Sequence, residues 1–163
     1  GSIVHKLPKG IGILSIASTT NAIGGDKLQT KTISKPTVIN WPEDFIFQLP
    51  REYLPTGCIY FERVRSVENV PIFYEQTYLP NINLPRFTSR SLENKSLFDL
   101  LRKNYKLEVR GGEQYFKAIK PEDEKICQYL QVDSETPILK LMRKLETNRI
   151  NFHFFSFPFI SIS

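Results

Sequence analysis

Between Gly57 and Pro80 the chain reads GCIYFERVRSVENVPIFYEQTYLP, two runs of β-branched and aromatic residues around a polar break at Glu68–Asn69. That pattern predicts a β-hairpin. Successive strand residues point to opposite faces, so Arg63 and Arg65 share a face with Ile59, Phe61 and Val67. Register decides what those arginines meet. A two-residue loop places Arg63 opposite Tyr74. A three-residue loop, Glu68 to Val70, places Arg63 opposite Glu75 and Arg65 opposite Phe73. The second is favoured because it pairs a guanidinium with a carboxylate.

The rest of the pattern is read in the same way. Leu28 to Ser34 alternates and predicts a strand. Ser18 is in place to cap a short helix ending at Gly24–Gly25, and Asn40 another, with Pro42 in its first turn and Phe45, Ile46 and Leu49 as its buried side. Residues 81–94 lack a long period and predict a surface loop. Ser96, with Asp99 three residues on, opens a helix whose stripe is Leu97, Phe98, Leu100, Leu101 and Tyr105. A strand from Leu107 to Ala118 is broken at Gly111–Gly112, where a bulge is expected. A helix follows over Pro121 to Leu130. The strand Pro137 to Glu146 sets Leu139, Leu141, Arg143 and Leu145 on one face. Ile150 to Ile160 returns as an aromatic strand. The sum is an α+β fold: an antiparallel sheet of about five to six strands flanked by helices.

A chain of 163 residues is one domain by size, and its apolar content of 40% with twelve phenylalanines supplies the core. No apolar run approaches the roughly 18 residues that a membrane span needs. The net charge of +5 permits nucleic acid as a partner, but the cations are scattered. No helix-turn-helix pattern, zinc-finger spacing or Arg/Lys-dense helix accompanies them. Steering of anionic ligands explains the charge as well. Cys58 and Cys127 form no CxxC pair and read as two small buried residues of a protein from a reducing compartment. The two histidines, His5 and His153, are far apart, and no HExxH, GxSxG, phosphate-loop or dinucleotide fingerprint is present. Catalytic, metal and cofactor assignments are therefore none. Two arginines on one apolar sheet face suit an anion, and the plainer alternative is a pair of rim cations in water. Ser96 offers a helix N-terminus to an anion or serves only as a cap. His153 is either a packing residue or a ligand contact.

Taken together, Arg63-x-Arg65, Val70-Pro71-Ile72, Glu75 and Tyr78-Leu79-Pro80 resemble the signature of the UTRA effector-binding domain. Ser96-Leu97-Phe98, Leu101, Tyr105, Ala118, Tyr129-Leu130-Gln131-Val132, Pro137-Ile138-Leu139 and Arg143 continue the collinear match. That domain forms the C-terminal half of GntR-type bacterial transcriptional regulators of the HutC subfamily. The resemblance implies a chorismate-lyase-like fold, a cytoplasmic homodimer and a small-molecule effector, an anionic metabolite such as a sugar phosphate or sugar acid. It implies DNA binding only through an N-terminal winged-helix domain. Residues 1–9 would be a linker remnant from that domain and residues 10–163 the effector-binding domain. It makes Arg63, Arg65, Glu75 and Ser96 ligand contacts, with Ser15, Tyr74 and His153 as further candidates. Arg149 and His153 stand near the places where the family's final hairpin carries a glycine and a glutamate. The alternative is a chorismate-lyase-like enzyme acting on a small carboxylated substrate. A third reading, a basic interaction module, requires a filled sheet face beside Arg63.

Overall fold

The computed structural model describes residues 5–7 and 28–162. The expected helix capped by Ser18 and the candidate Ser15 lie outside the described residues. Among those described, seven strands form one antiparallel sheet: β1 (His5–Leu7), β2 (Leu28–Ile39), β3 (Cys58–Val67), β4 (Val70–Pro80), β5 (Val109–Ile119), β6 (Ile138–Thr147) and β7 (His153–Ser161). Their order across the sheet is β1-β5-β6-β7-β4-β3-β2. Two hairpins, β3–β4 and β6–β7, thus meet along β4 and β7. Helices α1 (Leu97–Tyr105) and α2 (Glu124–Leu130) complete the α+β fold.

The helices pack on opposite faces, and strand alternation explains how. On one face Leu97, Leu100, Leu101 and Tyr105 of α1 meet Ile59, Phe61, Leu79, Leu145 and Phe154. On the other, Ile126 and Leu130 of α2 meet Val64, Tyr74, Ile138 and Phe159. A second cluster on the α2 face gathers Trp41, Tyr53, Cys58, Met142, Phe155 and Phe157. Both cysteines are free, and burial pushes the Cys58 thiol up to about 12.

The central hairpin keeps the expected pairing with a different turn. Arg63 lies opposite Glu75 and Arg65 opposite Phe73, but Val67 pairs with Val70, so the loop is the two residues Glu68 and Asn69. Both have positive φ, 51° and 66°, as a type I′ turn requires. A register shift between Arg65 and Ser66 absorbs the extra residue of β4. The bulge, not a longer loop, returns Glu75 to the face of Arg63.

Ser96 caps α1 as expected, its hydroxyl accepting from the Asp99 N–H at 3.3 Å. The bulge in β5 falls between Val109 and Gly111. Helix α2 begins later than Pro121, because Asp123 is its cap and accepts from the Lys125 N–H at 2.8 Å. The helix expected after Asn40 does not form. Phe45, Phe47 and Leu49 pack on the α2-face aromatic cluster while Ile46 stays exposed, an extended alternation rather than a helical stripe. Trp41 fixes this segment by donating its indole N–H to the Tyr53 carbonyl at 2.9 Å. At the entry to β3, Gly57 has φ +70°, and a Cβ there would stand 2.4 Å from the Ile39 carbonyl oxygen. Only glycine fits that approach.

Candidate effector-binding site

Along the α1 face of the sheet the apolar residues give way to charge. Phe61 is followed by Arg63 and Arg65 on β3, Phe73 by Glu75 on β4, and Leu141 by Arg143 on β6. Helix α1 covers the apolar end and starts where the charged end begins. The space beyond its N-terminus is a cavity of about 280 Å³, lined on the sheet side by Arg63, Arg65, Glu75, Arg143 and Ser156 and on the helix side by Ser96, Leu97, Phe98 and Asp99. Its volume lies near the lower end of the roughly 300–1,000 Å³ usual for small-molecule sites. The cavity beside Arg63 excludes the filled sheet face of the basic-module reading.

Glu75 is the hub. Its carboxylate accepts from Arg63 at 2.9 Å and from Arg143 at 3.4 Å, and all three side chains are at least nine-tenths buried. Burial alone would raise the Glu75 pKa. The positive charges of Arg63, Arg143 and Arg65 outweigh burial and hold it at about 2. Arg63 also donates to the Lys95 carbonyl at 3.2 Å, and Arg143 to the Ser156 hydroxyl at 2.9 Å. Arg65 has no hydrogen-bond or ion-pair partner among the described residues. Burial, opposed by Glu75 and reinforced by the two neighbouring arginines, pulls its pKa down. Three guanidiniums therefore face one carboxylate. The Nε–H groups of Arg63, Arg65 and Arg143 are all buried without an acceptor. A buried donor left unpaired costs free energy, so these three groups have unused capacity to bind an acceptor.

The helix adds to the same demand. The first N–H groups of α1 have no partner inside the helix and carry its positive dipole end. The Ser96 hydroxyl accepts from Asp99 N–H and still has its own O–H to donate. The Asp99 carboxylate is turned to Arg102, at 3.3 Å. Beside Pro158, which has no N–H to donate, the β6–β7 pairing skips Leu141 and Met142. Leu141 and Pro158 both line the cavity.

Arg63, Arg65, Glu75 and Ser96 are thus brought together. Tyr74 and His153 are not, and their assignment to the same site is corrected. Tyr74 lies on the α2 face, stacked on Tyr129 with centroids 5.4 Å apart, and donates to Glu62 at 2.8 Å. His153 alternates with Phe154 and Ser156 and so belongs to the face away from the cavity; its backbone N–H donates to the Tyr53 hydroxyl at 2.8 Å. Arg149 is also remote from the cavity. It donates to the carbonyls of Asn83 and Tyr105, both at 3.4 Å, at the C-terminal end of α1. The sequence reading missed Arg143 and Ser156 as site residues. Arg143 carried a signal: it is the charged member of an otherwise leucine face, Leu139, Leu141 and Leu145. Ser156, amid phenylalanines, carried a weaker one. Among the described residues no cluster of His, Cys, Asp and Glu is arranged to hold a metal ion.

Comparison with known proteins identifies the family and structures of similar fold. Residues 55–148 match the UTRA domain family. A search of curated protein sequences gave no match. Similar solved structures include a GntR-family transcriptional regulator from Bacillus cereus, with a TM-score of 0.65 and 18% identity over 84% of this chain and 93% of that one. PhnF from Mycobacterium smegmatis gives a TM-score of 0.72 and 15% identity, over 89% of this chain and 62% of that one. The C-terminal domain of the histidine utilization repressor from Pseudomonas syringae pv. tomato gives 0.66 and 15%, over 83% and 92%. At such identities the structures share the fold. The family match spans more than half of the chain and contains the Arg63–Glu75 hairpin, α1 and Arg143. The chain belongs to the UTRA domain family.

Proposed function

We propose that this domain is the effector sensor of a GntR-type repressor of the HutC subfamily, and that its effector is an anionic metabolite bound between Arg65, Arg143 and the N-terminus of α1. The carrying observation is the charge imbalance: three guanidiniums, those of Arg63 and Arg143 buried and that of Arg65 partly so, against one carboxylate, with Arg65 lacking a hydrogen-bond or ion-pair partner among the described residues. Arg63 and Glu75 hold the cluster in shape, Arg65 and Ser96 contact the ligand, and Ser15 is a further candidate contact. Sugar phosphates and sugar acids are the first classes to test. The regulator acts in the cytoplasm as a homodimer. It reads DNA through an N-terminal winged-helix domain, joined through residues 1–9 to an effector domain of residues 10–163. Among the described residues no helix is long and apolar enough to cross a membrane.

Regulation follows if the ligand binds two conformations of the dimer unequally. The anion removes repulsion among the three arginines and bridges the sheet to α1. A conformation that brings α1 onto the sheet is thereby favoured over one that leaves the cavity open. A thermal-shift screen of sugar phosphates, sugar acids and amino-acid breakdown products tests the ligand class, because binding raises the melting temperature by mass action. Anions should give the hits and their neutral counterparts none. Stabilisation by neutral sugars alone would overturn the anion assignment.

A further inference from the structure

A charged band, Arg63, Arg65, Arg143 and Glu75, crosses the cavity wall and has apolar residues on both sides. The rest of the wall is largely apolar: Phe73 on β4, Leu141 on β6, Phe154 and Pro158 on β7, and Leu97 and Phe98 on α1. Phe98 stands edge-on to Phe154, with ring centroids 6.1 Å apart and planes at 88°. Phe154 is fully buried, Leu97 and Leu141 nearly so, and each belongs to a strand or helix whose packing fixes it. Besides these charged residues, the described polar lining is Ser96, Asp99 and Ser156. Both hydroxyls already accept a hydrogen bond, Ser96 from Asp99 N–H and Ser156 from Arg143, and each keeps one O–H to donate. A polyhydroxylated body has more hydroxyls than Ser96, Asp99 and Ser156 can serve, and those turned to Phe73, Leu97 and Phe98 would be left without partners, which costs more than it gains. An apolar body there is removed from water and covers the still exposed parts of Phe98 and Ile160, and an aromatic ring gains contact with the Phe98 ring.

We infer that the effector is an amphiphilic anion: a phosphate, phosphonate or carboxylate head on the guanidinium cluster, carrying a compact aryl or branched alkyl body rather than a sugar ring. This inference rests on the anion-sensor reading above and narrows it. The head completes the unpaired Nε–H donors and the start of α1. The body fills the space between Phe98 and Pro158. The cavity of about 280 Å³ admits one ring with its head and little more.

Calorimetric titrations of the 163-residue chain with phenyl phosphate, glucose 6-phosphate and inorganic phosphate test this at one ionic strength. Phenyl phosphate should bind at least about tenfold more tightly than glucose 6-phosphate, the difference being the burial of a ring against apolar walls. Inorganic phosphate should bind more weakly than phenyl phosphate. In Phe98→Ser the preference for phenyl phosphate should shrink toward parity; should that variant fail to fold, the ranking on the native chain decides. Glucose 6-phosphate binding as tightly as phenyl phosphate, or more so, would overturn the amphiphilic body and leave the anion site standing. Failure of all three to bind would overturn both readings.

Discussion

Glu62 and Glu75 are buried carboxylates on neighbouring strands of one hairpin, yet they sit in opposite electrostatic situations. Glu62 faces α2, at 4% exposure. It accepts from the Tyr60 hydroxyl at 2.6 Å and the Tyr74 hydroxyl at 2.8 Å, and pairs with Lys125 at 2.7 Å. One negative charge meets one positive charge and two neutral donors. Burial pushes its pKa up, and these partners together bring it below the ordinary value. The network closes on itself and ties α2 to the sheet. Glu75 faces α1 with three guanidiniums, two of them bonded to it and one without a partner among the described residues, and with three buried Nε–H groups unused. A balanced network accounts for structure alone. A network with surplus charge and unused donors has capacity that the described residues do not use, and the proposed effector would use it. Burial of charge is common to both faces, so burial by itself does not mark the site; the surplus does.

The contrast makes predictions of decreasing size. Glu75→Ala leaves three guanidiniums in a buried cluster with no anion and should cost about 3–5 kcal/mol in denaturant unfolding. Inorganic phosphate should recover part of the loss. A variant as stable as the parent would show that the arginines do not depend on Glu75. Acid titration should show the same dependence. The Glu75 pKa of about 2 lies below the ordinary 4.5, so its stabilisation is complete above 4.5 and is lost as pH falls toward 2. The loss across that window is about 3 kcal/mol, and Glu75→Gln should remove this acid dependence. On the other face, Lys125→Met should cost only about 1 kcal/mol, because Lys125 is partly exposed and two tyrosine hydroxyls still serve Glu62. A penalty equal to that of Glu75→Ala would erase the contrast between the faces. The smallest change in stability belongs to Arg65→Gln. It removes a cation repelled by Arg63 and Arg143 and breaks no hydrogen bond to a described residue, so unfolding should shift by less than about 1 kcal/mol.

Local pattern carried much of this in the sequence. The alternation of Arg63 and Arg65 with Phe61, the Ser96 cap and the terminal aromatic strand were legible because each follows from period and propensity within one segment. The Arg63–Glu75 pairing was legible for a chemical reason, the match of charges, while its structural cause, a bulge after a two-residue turn, was not. Neither Glu68 nor Asn69 is glycine, so the sequence gives little sign that both adopt positive φ. The helix after Asn40 failed because the burial of Phe45, Phe47 and Leu49 against Trp41 and Phe155 outweighs a local capping pattern. Arg143 and Ser156 escaped because they join the site only when the β6–β7 hairpin docks beside β4. That is a property of sheet order, which no single segment encodes. Tyr74 and His153 were misplaced for the same reason in reverse: proximity in sequence to Glu75 and to Phe154 set them on the opposite face.

The central claim is that the guanidinium surplus on the α1 face, with Arg65 as its unpaired member, is there to bind an anion. The most direct test is calorimetry of the native chain and Arg65→Gln side by side, with phenyl phosphate and glucose 6-phosphate, at neutral pH and fixed low salt. The account predicts that whichever anion binds the native chain binds Arg65→Gln at least about tenfold more weakly, as loss of a charge-assisted pair implies, while the two proteins unfold at nearly the same temperature. Equal affinity of the two proteins for the anion would contradict it.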